Sequence, residues 1–220
     1  MEIWLDTSNE NFVAYASGLG ILQGITTNPT ILAPSKVSPH EVIASLLKVQ
    51  NGVVAIQVLS DDIEEMCKQA KMLSAISNRI LVKIPVTQNG IRAIYALNQE
   101  GIPTLATAIF ELQQALLAFK AGASYLAPYL GRIADTEKNP IQVISQMHSM
   151  KLHYDFKGKI MGAGIRELAT AIACIEIGIC AITLPEKIFT ELVQDCESTL
   201  LALEKFSEDW SKSIFSKADF

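Results

Sequence analysis

Histidine, cysteine and clustered charge are all scarce in this chain. The three histidines, His40, His148 and His153, fall in helix-like or loop segments with no pair at ligand spacing, and each reads as a surface residue. No metal is expected, and a Ser-His-Asp or Cys-His catalytic arrangement has no histidine to build on. The four cysteines, Cys67, Cys174, Cys180 and Cys196, form no C-x-x-C pair, which predicts reduced thiols in a cytoplasmic protein. Lys and Arg number 18 against 23 Asp and Glu, a scattered net charge of -5 with no basic stripe, so nucleic acid is not an expected partner. The most apolar region, Leu168 to Pro185, is broken by Glu176, Gly178 and Pro185 and does not read as a membrane span. The opening Met1-Glu2-Ile3-Trp4-Leu5-Asp6 carries acids and no cationic lead, so no signal peptide is expected. No low-complexity linker divides the 220 residues, and one domain is expected over 1–220, with a helical tail over about 186–220.

What is present is an alternation. Short apolar runs at Ile3 to Thr7, Gly24 to Thr27, Val53 to Leu59, Ile80 to Pro85, Pro103 to Thr107, Tyr125 to Pro128, Lys159 to Ala163 and Ala181 to Leu184 read as strands. Amphipathic stretches separate them, with Val42, Leu46 and Val49 in one and Met66, Ala70, Leu73 and Ile76 in the next at helical spacing. Repeated βα units over this length predict an α/β fold, a (β/α)8 TIM barrel with an extended C-terminal helix. An open doubly wound sheet would need a glycine-rich turn after its first strand, where Asp6-Thr7-Ser8-Asn9-Glu10 has no glycine. Thr7 or Ser8, Asp61 or Asp62, and Thr87 read as helix N-caps. Gly101, Gly122, Gly158 and Gly178 read as left-handed residues just after helices. Leu192, Leu200, Leu203, Phe206, Trp210, Ile214 and Phe215 give the tail an apolar character suited to packing elsewhere on the molecule or on a neighbouring subunit.

In such a barrel the site lies at the carboxyl ends of the strands. Those ends carry Asp6, then Thr26, Thr27 and Asn28, then Gln57, Lys83, Thr107, and Tyr129 with Arg132. Strand alternation puts Ala55 with Gln57, and Leu81 with Lys83, on the barrel face, leaving Val54, Ile56, Val82 and Ile84 for the helices. Lys83 lies within an apolar, β-branched run closed by Pro85, so its ammonium must snorkel, pair with an acid or lose its charge. The last outcome makes a nucleophile. Plainer readings exist for its neighbours: Asp6 as a helix cap, Asn28-Pro29 as a turn, Gln57 and Thr107 as partners of barrel backbone groups. Their convergence around one lysine favours a polar pocket.

The motifs Leu-Asp-Thr-Ser at 5–8, Gly-Ile-Thr-Thr-Asn-Pro-Thr-Ile at 24–31, Gln57, Val-Lys-Ile-Pro-Val at 82–86, Gly-Ile-Pro-Thr-Leu-Ala-Thr-Ala at 101–108 and Ala-Pro-Tyr-Leu-Gly-Arg-Ile at 127–133 occur in order on successive strands. With these the chain resembles, over essentially its full length, the small transaldolase family and within it the fructose-6-phosphate aldolase branch. The resemblance implies a cofactor-free class I aldolase in which Lys83 forms a Schiff base with a ketose. It implies that Asp6 holds sugar hydroxyls and helps proton transfer, that Thr26 and Asn28 orient the dihydroxyacetone unit, and that Gln57, Thr107 and Tyr129 position a proton-moving water, with Tyr129 as general acid and base. Arg132 would meet a phosphate.

Transaldolases of this size typically have glutamate in place of Gln57 and phenylalanine in place of Tyr129, so both positions favour the aldolase branch. Where the family usually has a phosphate-holding serine after strand seven, this chain has Gly164, whose N–H at a helix start, with Arg166, would be left to hold the phosphate. The readings are then an aldolase acting on fructose 6-phosphate or a related ketose, a transaldolase, or a non-catalytic sugar-phosphate-binding barrel. The family also suggests a ring-shaped homo-oligomer, a pentamer or decamer, with a sugar or sugar phosphate as the small-molecule partner and no membrane.

Overall fold

The computed structural model describes residues 1–213. The chain runs β1 (Glu2–Asp6), α1 (Glu10–Gly18), β2 (Leu22–Thr26), α2 (Pro29–Leu32), α3 (Pro39–Val49), β3 (Val53–Gln57), α4 (Ile63–Ser74), β4 (Ile80–Pro85) and α5 (Gln88–Gln99). It continues through β5 (Thr104–Ile109), α6 (Leu112–Lys120), β6 (Tyr125–Pro128), α7 (Leu130–Ala134), α8 (Pro140–His153), β7 (Lys159–Gly162), α9 (Leu168–Ile177), β8 (Ala181–Leu184), α10 (Glu186–Leu192) and α11 (Glu197–Ser211). The strands close in sequence order into a parallel barrel, with β1 between β2 and β8. This is the (β/α)8 barrel that the alternation predicts.

Alternation explains how the barrel fills. Trp4, Ala55, Leu81, Leu105, Ala127, Met161, Ala163 and Ala181 form the buried interior cluster, and the alanines leave room for the Trp4 ring, which meets Tyr125 edge-on at 5.5 Å. Val54, Ile56, Val82 and Ile84, on the opposite faces of their strands, are buried in the outer layer. At the amino end of the strands Glu2 accepts hydrogen bonds from Trp4 Nε1, Tyr125 OH and Lys159 Nζ, so the barrel floor is closed by a polar cluster with each member partnered.

Local signals hold at some ends and fail at others. Asp62 and Thr87 cap α4 and α5 as expected. The cap of α1 is Asn9, whose side chain accepts from Phe12 N, not Thr7 or Ser8: the Thr7 hydroxyl is instead given to Glu186 at 2.6 Å. Gly101, Gly122 and Gly178 take left-handed φ. Gly158 does not; Asp155 makes the left-handed turn after α8, and at Gly158 a Cβ would lie 2.6 Å from Ala123 O, so close packing is what asks for glycine there.

By its internal contacts the chain divides into two compact units, Met1–Phe189 with the barrel and Thr190–Phe220 with α11. Within the second, Leu200, Leu201, Leu203, Phe206 and Trp210 are exposed along α11; Ile214 and Phe215 lie outside the described residues. No helix among the described residues is long and apolar enough to cross a membrane.

Candidate active site at the carboxyl end of the barrel

Lys83 is 3% exposed, and its Nζ donates to the Thr27 carbonyl at 2.6 Å. Burial pushes its ammonium down to about 8, against the opposing pull of Asp6. The Thr27 carbonyl is fixed in turn, because both the N–H and the hydroxyl of Thr27 donate to Ala55 O on β3, each at 3.0 Å. Burial raises the Asp6 carboxyl, a rise opposed by Lys83 and by the Thr26 hydroxyl, which donates to it at 2.6 Å. Burial thus moves both groups toward their neutral forms.

The Thr26 hydroxyl spends its one proton on Asp6, so the Thr183 hydroxyl, 2.7 Å away, must donate to Thr26. Thr183 is the one member of this chain of hydroxyls that the sequence reading missed. Its signal was the alternation of β8, which turns Ala181 and Thr183 to the same face.

Gln57, on β3 between the strand of Thr26 and that of Lys83, stands directly across the register from Lys83, and β5 with Thr107 flanks the lysine on the other side. Thr107 is fully buried and donates to Tyr129 OH at 3.0 Å, leaving the phenol proton for the cavity. The β5–β6 register shifts between Ala106 and Ile109, and within that stretch Ala108 takes a left-handed φ of 56° and lines the cavity.

The cavity measures about 580 Å³. Asp6, Thr26, Asn28, Gln57, Lys83 and Tyr129 line it, as do Arg132, Gly164 and Arg166 at the rim. Thr107 reaches it only through Tyr129. Asn28 is also the cap of α2, accepting from Ile31 N, so the plain turn reading and the pocket reading are both true of it. Arg132 lies over the Tyr129 ring, 5.4 Å from its centre. Gly164 is not at a helix start, since α9 begins only at Leu168; it turns the loop with a φ of 63°. Arg166 does not extend freely into the cavity either, being paired with Asp135.

Among the described residues no three His, Cys, Asp or Glu side chains gather as a metal group would require. His148, expected on the surface, is half-buried on α8. An amine with a lowered pKa, a neighbouring acid and a hydroxyl pair can together form and break an imine with a carbonyl compound.

Comparison with known proteins adds to this geometry. The family described as Transaldolase/Fructose-6-phosphate aldolase matches residues 3–218. The chain belongs to this family. Membership makes it an aldolase-type enzyme. A protein named "Probable transaldolase" from a Thermoanaerobacter species is 34% identical over 97% of this chain and 98% of its own. Another so named, from Shouchella clausii, is 37% identical over 99% of this chain and 100% of its own. A structure provisionally named as a fructose-1,6-biphosphate aldolase from Coccidioides immitis aligns with a TM-score of 0.58 at 15% identity, over 84% of this chain and 73% of that one, a likeness of fold alone.

Proposed function

We propose that the chain is a Schiff-base aldolase that reversibly cleaves fructose 6-phosphate, or a related ketose, into dihydroxyacetone and an aldehyde such as glyceraldehyde 3-phosphate. The observation that carries this reading is Lys83: buried, hydrogen-bonded through one N–H to Thr27 O, and lowered to about 8, so that a neutral amine is accessible near physiological pH. The amine adds to the ketose carbonyl and expels water, giving an iminium. The bond between the third and fourth carbons then breaks, its electron pair moving into the iminium, while Asp6 takes the proton of the fourth carbon's hydroxyl through the water and that carbon leaves as the aldehyde. Tyr129, held by Thr107, returns a proton to the enamine carbon, and water releases dihydroxyacetone. Asp6, Thr26 and Asn28 take the ketose hydroxyls, Gln57 joins Thr107 and Tyr129 around the water, and the rim with Arg132, Gly164 and Arg166 takes the phosphate.

Borohydride added with dihydroxyacetone or fructose 6-phosphate should leave a covalent mass on Lys83; no adduct at saturating ligand would sink the proposal. The relatives' shared name favours a second reading, transaldolase, in which the enamine waits for an acceptor sugar. Cleavage of fructose 6-phosphate without erythrose 4-phosphate decides for the aldolase, and strict acceptor dependence for the transferase. On the aldolase reading Tyr129→Phe should cut acceptor-free cleavage about a hundredfold while transfer falls less.

The compartment we expect is the cytoplasm, where four thiols that stay unpaired are at home. We further expect a ring-shaped homo-oligomer in which α11 packs on a neighbouring subunit. The exposed Leu200, Leu203 and Phe206 support that packing, as does an apolar groove at the end of β3 where Leu59 and Met72 are exposed. Light scattering that finds a monomer would remove it.

A further inference from the structure

We infer that Asp135 is a specificity-determining residue: its carboxylate holds the Arg166 guanidinium at the cavity rim and so weakens the grip of that rim on a substrate phosphate. The inference rests on the reading of the rim as a phosphate site given above.

Arg166 Nη1 donates to Asp135 Oδ1 at 2.6 Å and Nη2 to Oδ2 at 2.8 Å, so both terminal nitrogens are engaged with one carboxylate. That paired geometry is how a guanidinium grips a phosphate. The path of the side chain is set as well. A Cβ at Gly131 would come within 2.7 Å of Arg166 Nε and 2.5 Å of Gly164 O, so the Arg166 stem crosses the first turn of α7 where only glycine leaves room, and reaches Asp135 just past the end of that helix. The sequence spacing therefore conceals a three-point seat: the Gly164 loop, Gly131 and Asp135.

Hydrogen bonding to Arg166 lowers the Asp135 carboxyl from its ordinary value, so the carboxylate keeps its charge near neutral pH. Arg132 also favours the charged form of the same carboxylate, though only Arg166 is hydrogen-bonded to it. A phosphate that is to be gripped by Arg166 must displace Asp135 from it, whereas an uncharged aldehyde meets no such obstacle. Gly164 offers no hydroxyl to offset this.

The test uses the full-length enzyme with Asp135→Asn and Arg166→Gln, singly and together. The kinetic readout is kcat/KM for glyceraldehyde 3-phosphate over that for glyceraldehyde, each condensed with dihydroxyacetone; this ratio cancels any effect common to both. The binding readout is the Kd of inorganic phosphate by calorimetry, which needs no turnover. Asp135→Asn should raise the ratio and tighten phosphate about two- to fivefold, as expected for an exposed charge pair, with a smaller gain in high salt. The gain should vanish in the Arg166→Gln background. An unchanged or weakened phosphate Kd in Asp135→Asn, or a gain that persists without Arg166, overturns the inference. Loss of the borohydride adduct on Lys83 in the parent would instead count against the aldolase reading, leaving the phosphate Kd to judge Asp135.

Discussion

Two lysines with acid neighbours stand at opposite ends of one barrel, and their protons are held in opposite ways. At the floor, hydrogen bonding to Glu2 raises Lys159 to about 12, while Glu2, although burial pulls its carboxyl up, is lowered on balance by Lys159, Trp4 and Tyr125. At the mouth, burial lowers Lys83 to about 8 and raises Asp6, and the acid's pull on the lysine only moderates the fall. Each pair is one lysine and one carboxylic acid. What differs is contact: Lys159 touches its acid and keeps one side in water, whereas Lys83 is 3% exposed and spends its hydrogen bond on a backbone carbonyl. A direct ion pair fixes a charge, and desolvation without one loosens it.

The largest expected effect comes from removing the mouth lysine. Lys83→Met should bring kcat to background, a loss on the order of 10⁴ or more, and abolish the borohydride adduct. It should also stabilise the fold. A folded pKa below the unfolded one means that the unfolded chain holds the proton more tightly, so the buried amine destabilises the fold below about 8 and ceases to do so above the ordinary lysine value of 10.5. The gain in Lys83→Met should thus be about 2–3 kcal/mol at pH 7 and fade toward pH 11 in thermal or urea melts. A destabilised variant would mean that Lys83 behaves like Lys159.

Removing the acid of the mouth pair is next in size. Asp6→Asn should lower kcat about a hundredfold through the lost proton transfer. Because Asp6 raises the Lys83 pKa, its loss should let that pKa fall further, and the acid limb of the pH–rate profile should move to lower pH. A limb that moves to higher pH would contradict the assigned sign. A smaller effect is expected at Thr27, whose hydroxyl helps pin the carbonyl that receives Lys83. Thr27→Val should slow borohydride trapping about fivefold with little change in KM, and Thr27→Ser should restore it.

The sequence makes the two ends unequally legible. Lys83 stands out because a lysine in a β-branched run closed by Pro85 has few alternatives, and Gln57 follows from alternation and register. Thr183 does not stand out, since a threonine in Ala-Ile-Thr-Leu is an ordinary strand residue; its bond to Thr26 exists only because closure sets β8 and β2 on either side of β1. The same closure supplies Glu186, from beyond β8, to the Thr7 hydroxyl and so moves the α1 cap to Asn9. Asp135 and Arg166 lie in different loops and meet only when the barrel forms. The floor cluster is hidden for that reason too, because Glu2, Tyr125 and Lys159 come from β1, β6 and β7.

The smallest effect on activity is expected at the floor, and it is the sharpest check on the contrast. A raised Lys159 contributes stability that is fully present below the ordinary lysine value of 10.5 and is lost as pH rises through about 12; a lowered Glu2 contributes stability present above its ordinary 4.5 and lost on further acidification. Between those limits Lys159→Met should cost about 1 kcal/mol, because the Lys159 side chain is 45% exposed and water screens the pair. Outside them the parent and the variant should converge. The kcat and the trapping rate at Lys83 should match the parent's, since the packed interior of Trp4, Leu81, Leu105 and Met161 separates the two clusters. A fall in trapping rate with the same pH dependence as the loss of stability would show that the floor pair also positions the mouth lysine, and the two ends would then act as one network.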